Sequence, residues 1–138
     1  MAQHPLVGTW RLLRWQVVVD GEPPRDLAGP DPRGFLILTA EGRAMALTTG
    51  SGRAAGDDDA ARAALHRSML AYSGRYRVDG EAFVTTVDAC WNEAWNGTEQ
   101  RRFWRIEEGR LFIRSAPGPS IVFPGKTDHR LIVWEREA

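Results

Sequence analysis

Three dipeptides, Glu41-Gly42, Asp79-Gly80 and Glu108-Gly109, each separate two short runs of β-branched, aromatic and aliphatic residues. Glycine reaches positive φ without a Cβ clash, so such pairs favour the tight turns that join antiparallel strands. Three hairpins within 138 residues commit most of the chain to antiparallel sheet. Runs of this character at 8–20, 34–39, 43–48, 74–78, 83–90, 100–106, 111–115 and 129–135 predict eight strands. The first is expected to be bulged, because strict alternation fails at Leu12-Leu13. Residues 21–33, rich in proline and glycine, and 116–127 read as loops, the second containing an apolar Ile121-Val122-Phe123. One helix is predicted over 58–72, between the third and fourth strands, from the spacing of Ala61, Leu65, Met69 and Tyr72. Asp57-Asp58-Asp59 lies where carboxylates cap a helix N-terminus. Eight antiparallel strands point to an all-β barrel or sandwich in one domain over 1–138.

Composition excludes several partners. A formal net charge of zero gives no electrostatic footprint for nucleic acid. No apolar run approaches the ~20 residues that span a bilayer. Met-Ala-Gln-His-Pro lacks the basic start and apolar stretch of a signal peptide, so a cytoplasmic location is expected. Cys90 has no partner for an internal disulfide and reads as a small, partly buried thiol. Asn96-Gly97-Thr98 reads as a turn. His4, His66 and His129 show no metal-ligand spacing, and no metal or cofactor is expected. Only one of the 18 basic residues is a lysine, Lys126. That bias is compositional and weakens any argument from an arginine's mere presence.

Alternation assigns faces. Arg101 and Arg105 point outward, which leaves Arg102 and Trp104 inward. Tyr76 and Val78, Leu111 and Ile113, and Ile132 and Trp134 also face in. The two faces of 83–90 are equally apolar and stay undecided. An inward guanidinium is costly unless it is paired. Arg102 either pairs with an acid such as Asp88 or Glu93, or donates to backbone carbonyls, or anchors a carboxylate, enolate or phenolate on an apolar ligand. Tyr76 is either a core residue with a satisfied hydroxyl or a donor to that ligand. Trp91 and Trp95, with Trp104, either plug a barrel end or form an aromatic pocket mouth. Tyr72, on the helical stripe, joins the candidate ligand-binding set.

Leu6-Val7-Gly8-Thr9-Trp10, Gly34-Phe35-Leu36-Ile37-Leu38-Thr39 and Glu41-Gly42-Arg43-Ala44-Met45 occur in this order. Tyr72-Ser73-Gly74-Arg75-Tyr76, the segment from Trp95 to Trp104, and the closing Trp134-Glu135-Arg136 follow. In this order they resemble the bacterial and fungal family of lipocalin-like domain proteins. The resemblance implies an eight-stranded antiparallel lipocalin-like β-barrel, with Trp10 plugging one end and Arg136 stacked over it. It also implies a small, largely apolar ligand inside, with a homodimer as a further option. Members of that family often carry histidine in the strand after the Asp-Gly hairpin. Here that stretch is Val84-Thr85-Thr86-Val87, which argues against acid–base chemistry built there.

Three functions compete: a small-molecule binder, a cofactor-independent cyclase or isomerase, and an interaction module with a filled core. An interior without a cavity above roughly 300 Å³ points to the third. Convergence of Arg102, Tyr76 and an acid points to the second. A cystatin-like α+β cone is the alternative fold, disfavoured because such cones begin with helices.

Overall fold

The computed structural model describes residues 3–120 and 123–137. Ile121 and Val122 of the expected apolar loop segment lie outside them. The strands, in chain order, are β1 (Gly8–Val19), β2 (Arg25–Asp26), β3 (Arg33–Leu38), β4 (Arg43–Thr49) and β5 (Met69–Asp79). They continue with β6 (Ala82–Cys90), β7 (Glu99–Glu107), β8 (Arg110–Ser115), β9 (Gly118–Pro119) and β10 (Thr127–Arg136). All pairings are antiparallel, and β1 also pairs with β10. The eight long strands therefore close into a barrel, while β2 and β9 are two-residue additions to β1 and β10.

Helix α1 (Asp59–Arg67) lies between β4 and β5. The expected place between the third and fourth strands shifts by one, because β2 enters the count. The helix is also shorter than expected. Met69 and Tyr72 belong to β5, and α1 buries no residue completely. The apparent helical stripe arose because Tyr72, inward on a strand, happened to continue the spacing. Asp58 caps the helix as expected, its carboxylate accepting from the Ala61 amide at 2.7 Å.

Alternation is cleanest on β3 and β4. Leu36, Leu38, Ala44, Ala46 and Thr48 are buried, while Phe35, Ile37, Met45 and Leu47 are exposed. The bulge on β1 falls between Leu12 and Arg14, where expected. Arg101 and Arg105 do face outward, paired with Asp79 and Glu107. Val78 does not face in. It sits beside the Asp79-Gly80 turn and is 37% exposed, because the barrel wall ends there. On β6, Phe83 and Val87 join the core. Val84 is buried as well, on a ladder row between Arg77 and Arg101. Arginine stems cover apolar surface in this way, which explains why the two faces of β6 look equally apolar.

One barrel end is closed by the segment before β1. The Trp10 indole donates to the Leu6 carbonyl at 2.9 Å, and Leu6 and Trp10 are both buried. The Arg136 guanidinium lies 4.1 Å over the Trp10 ring. It also donates to the carbonyls of Val7 and Pro5 at 2.9 and 2.8 Å. Gly8 has φ +145°, and a Cβ there would collide with Arg136 Nη1. The glycine of Gly-x-Trp thus leaves room for the arginine that closes the barrel.

Candidate functional site

Inward residues of β3, β4, β5, β6, β7, β8 and β10 meet around an interior cavity. Leu36, Leu70, Phe83, Ile113 and Ile132 give it apolar walls. Thr48, Tyr72, Arg102 and Trp134 bring polar atoms to the same space. The cavity is about 30 Å³, measured as room for the centre of a water molecule. That volume takes a water. It is an order of magnitude below the roughly 300 Å³ of a typical small-molecule pocket.

The polar atoms are more informative than the volume. Thr48 Oγ1 and Trp134 Nε1 are fully shielded and have no hydrogen-bond partner among the described residues. Buried polar groups are ordinarily paired, because desolvation without a replacement bond costs about 1–3 kcal/mol. Tyr72 likewise donates to no described residue. Burial pushes its pKa up, opposed in part by the positive charge of Arg102. The phenol is therefore neutral at pH 7 and able to donate.

Arg102 stands where alternation puts it, half-buried, between the cavity and solvent. Its guanidinium donates to the Arg101 carbonyl at 3.1 Å and to Gln100 Oε1 at 3.3 Å. Neither is a charge partner, but the first is the backbone-carbonyl bond expected of a structural arginine. The two acids considered from sequence are engaged elsewhere. Asp88 accepts from Ser73 and Arg43 at 2.7 and 2.8 Å, bonds that hold its pKa below the usual range. Glu93 accepts from Asn96 at 2.6 Å. Arg102 has no ion pair among the described residues.

Trp95, in a 3-10 turn over Glu93–Trp95, lies 5.8 Å from the Arg102 guanidinium. Its ring meets Tyr72 edge-on at 5.8 Å and Trp91 at 5.2 Å. The fold thus brings Tyr72, Trp91, Trp95 and Arg102 into one cluster. Trp91 also ties this cluster to the helix, donating to the His66 carbonyl at 3.3 Å.

Tyr76 and Trp104 are elsewhere. The Tyr76 hydroxyl donates to the Thr39 carbonyl at 2.6 Å, and its ring packs on Phe83. Trp104 stacks edge-on with His4 at 5.4 Å. Neither lines the cavity, and among the described residues no carboxylate or imidazole lines it either. Asp128 pairs with Arg130 at 3.2 Å, so the Asp128-His129 segment is a polar cluster at a strand end. Thr48 and Trp134 were not singled out as site residues from sequence. The signal for Thr48 was present, as a lone hydroxyl on the inward row after Ala44 and Ala46.

Among the described residues no helix is long and apolar enough to cross a membrane. A comparison with curated proteins gives no match. A family model described as a lipocalin-like domain matches residues 7–137. That span runs from just before the Gly8-x-Trp10 plug to just beyond Arg136, so it takes in every strand and the whole cavity. The chain belongs to the lipocalin-like domain family.

Proposed function

We propose that the barrel binds a small, largely apolar molecule carrying one anionic or strongly accepting group, with Arg102 as its anchor. The carrying observation is a wall rich in donors, of which Trp134 Nε1 and the Thr48 hydroxyl have no partner among the described residues. Trp134 Nε1 and the Arg102 guanidinium can only donate, and Thr48 and Tyr72 offer hydroxyls beside them. Among the described residues no acid lines the space. The complement of such a wall is a carboxylate, enolate or phenolate on an apolar body. Trp91 and Trp95 form the aromatic mouth. Access runs past Leu70, Ile132 and Arg102, all only partly buried, so the ligand enters by displacing side chains rather than strands.

The cavity's small volume favours a second reading, an interaction module whose core is full. One titration separates the two. Tryptophan fluorescence is followed while hexanoate and its methyl ester are added to wild type and to Arg102→Leu. The binding reading expects the acid to outcompete the ester on wild type by roughly tenfold or more, the value of one charge-assisted contact of about 1.5–3 kcal/mol. It expects that preference to vanish in Arg102→Leu, with ester affinity retained. Equal affinities on wild type contradict the anchor, and no saturable binding of either favours the filled core.

A further inference from the structure

The outer face of the barrel over β3 and β4 exposes large apolar side chains. Phe35 and Ile37 on β3 stand directly opposite Leu47 and Met45 on β4. They are 41%, 39%, 48% and 53% exposed, and form one contiguous ridge. Elsewhere the outward rows of β7 and β8 alternate apolar residues with charges, and Arg105 and Arg114 stack over Phe112 and Phe103. Beside the ridge runs an open trough of about 440 Å³, floored by the small residues Ala71, Ser73 and Ala89. Ridge and trough lie side by side on the same sheet, because Leu47 pairs with Ala71, Met45 with Ser73, and Ser73 with Ala89.

We infer that this face joins two copies of the chain about a two-fold axis, the ridge of each seated in the trough of the other. A two-fold interface uses one patch twice, so it must be self-complementary in shape and charge. A ridge next to a trough on one face meets the shape condition. Charge meets it too. Arg11 pairs with Glu135 on one border, and Arg43 pairs with Asp88 on the other. Both borders carry both signs, and the chain's net charge is zero. Arg75, next to Arg43 on the ladder, and Arg33, on the outward row of β3 beside Phe35, have no ion pair among the described residues. They add two positive charges, short of the roughly four to eight of a polybasic membrane-binding surface. Five strands about 4.8 Å apart and six residues about 3.3 Å each give a footprint of roughly 400 Å² per copy. That is half the ~800 Å² per partner of a standard interface, which places the contact in the weak, transient class.

The experiment is sedimentation equilibrium of the full chain from about 1 to 200 µM, a range that brackets a weak interface. The expected mass rises from 15.4 kDa toward twice that value. Leu47→Glu places a charge on the ridge, and Ala89→Arg fills the trough. Both positions are exposed, so each variant is expected to keep the wild-type thermal midpoint and to stay monomeric throughout. A wild type that is monomeric at every concentration overturns the inference, as does a dimer that both variants retain. Wild type that stays monomeric alone but sediments with phosphatidylglycerol vesicles also overturns it, in favour of a lipid surface. Neither position lines the cavity, but the trough shares Tyr72 and Trp91 with the ligand-binding cluster, so the interior is tested separately by Trp134→Phe, which leaves the outer face intact.

Discussion

Gly8 and Arg136 are 128 residues apart, yet they are one device. The absent Cβ of Gly8 leaves the space that Arg136 Nη1 fills over Trp10. Arg136→Ala removes the cation–π contact and two donors to carbonyls, and is expected to cost about 2–3 kcal/mol. Gly8→Ala is expected to cost a similar amount, because it strains φ +145° and expels the same guanidinium. The double variant should therefore lose at least about 1 kcal/mol less than the sum of the two, measured by urea unfolding. Full additivity would show that the two residues act independently. The tyrosines give a second check at this scale. The chain has two, and burial raises the pKa of both. A group that holds its proton more tightly when folded contributes stability that is complete below its unfolded pKa near 10. That stability is lost as pH rises through the folded value. Absorbance at 295 nm should show both phenols ionising above pH 10. A phenol with its midpoint at or below 10 would contradict the described burial.

At the scale of elements, β5 and β6 carry the irregularity that shapes the site. Their register slips between Ser73 and Gly74, opposite Asp88, and Asp88 there meets Ser73 and Arg43 on the outer surface. A Cβ on Gly74 would collide with the Thr86 carbonyl, a backbone atom that cannot rotate away. Gly74→Ala is expected to lower the thermal midpoint by several degrees, about 2 kcal/mol or more. Asp58→Ala removes only the cap of a helix that buries nothing, about 1 kcal/mol locally. A thermal scan showing the reverse order would contradict this assignment of rigid wall and peripheral helix. The hairpins and alternating rows were legible in the sequence because turn chemistry and period two are local signals. The start of β5 was not legible. Met69 to Tyr72 fit a helical spacing and a strand equally well, and only pairing with Thr49 to Ala46 decides between them.

For the whole molecule, the inward position of Arg102 was legible because flanking arginines could not both be buried. Its lack of a charge partner was not legible. That depends on Arg43 and Asn96 reaching Asp88 and Glu93 first, and these contacts are set by the bulge and by the 3-10 turn. Alternation left Tyr76 as either a core residue or a ligand donor, and the β3–β4 turn brings the Thr39 carbonyl within reach of its hydroxyl. Closure of β1 on β10 then turns separate inward rows into one shared interior, where Trp134 Nε1 and Thr48 Oγ1 have no partner among the described residues. The indole N–H of Trp134 is the most direct reporter of what fills that space. In a ¹⁵N–¹H spectrum its resonance is identified by its loss in Trp134→Phe. Titration with hexanoate should shift that proton downfield, as expected when a donor gains a charged acceptor, while the Trp10 resonance, already bonded to Leu6, stays in place. A titration that saturates with Trp134 unmoved would place the ligand outside the barrel and contradict the account.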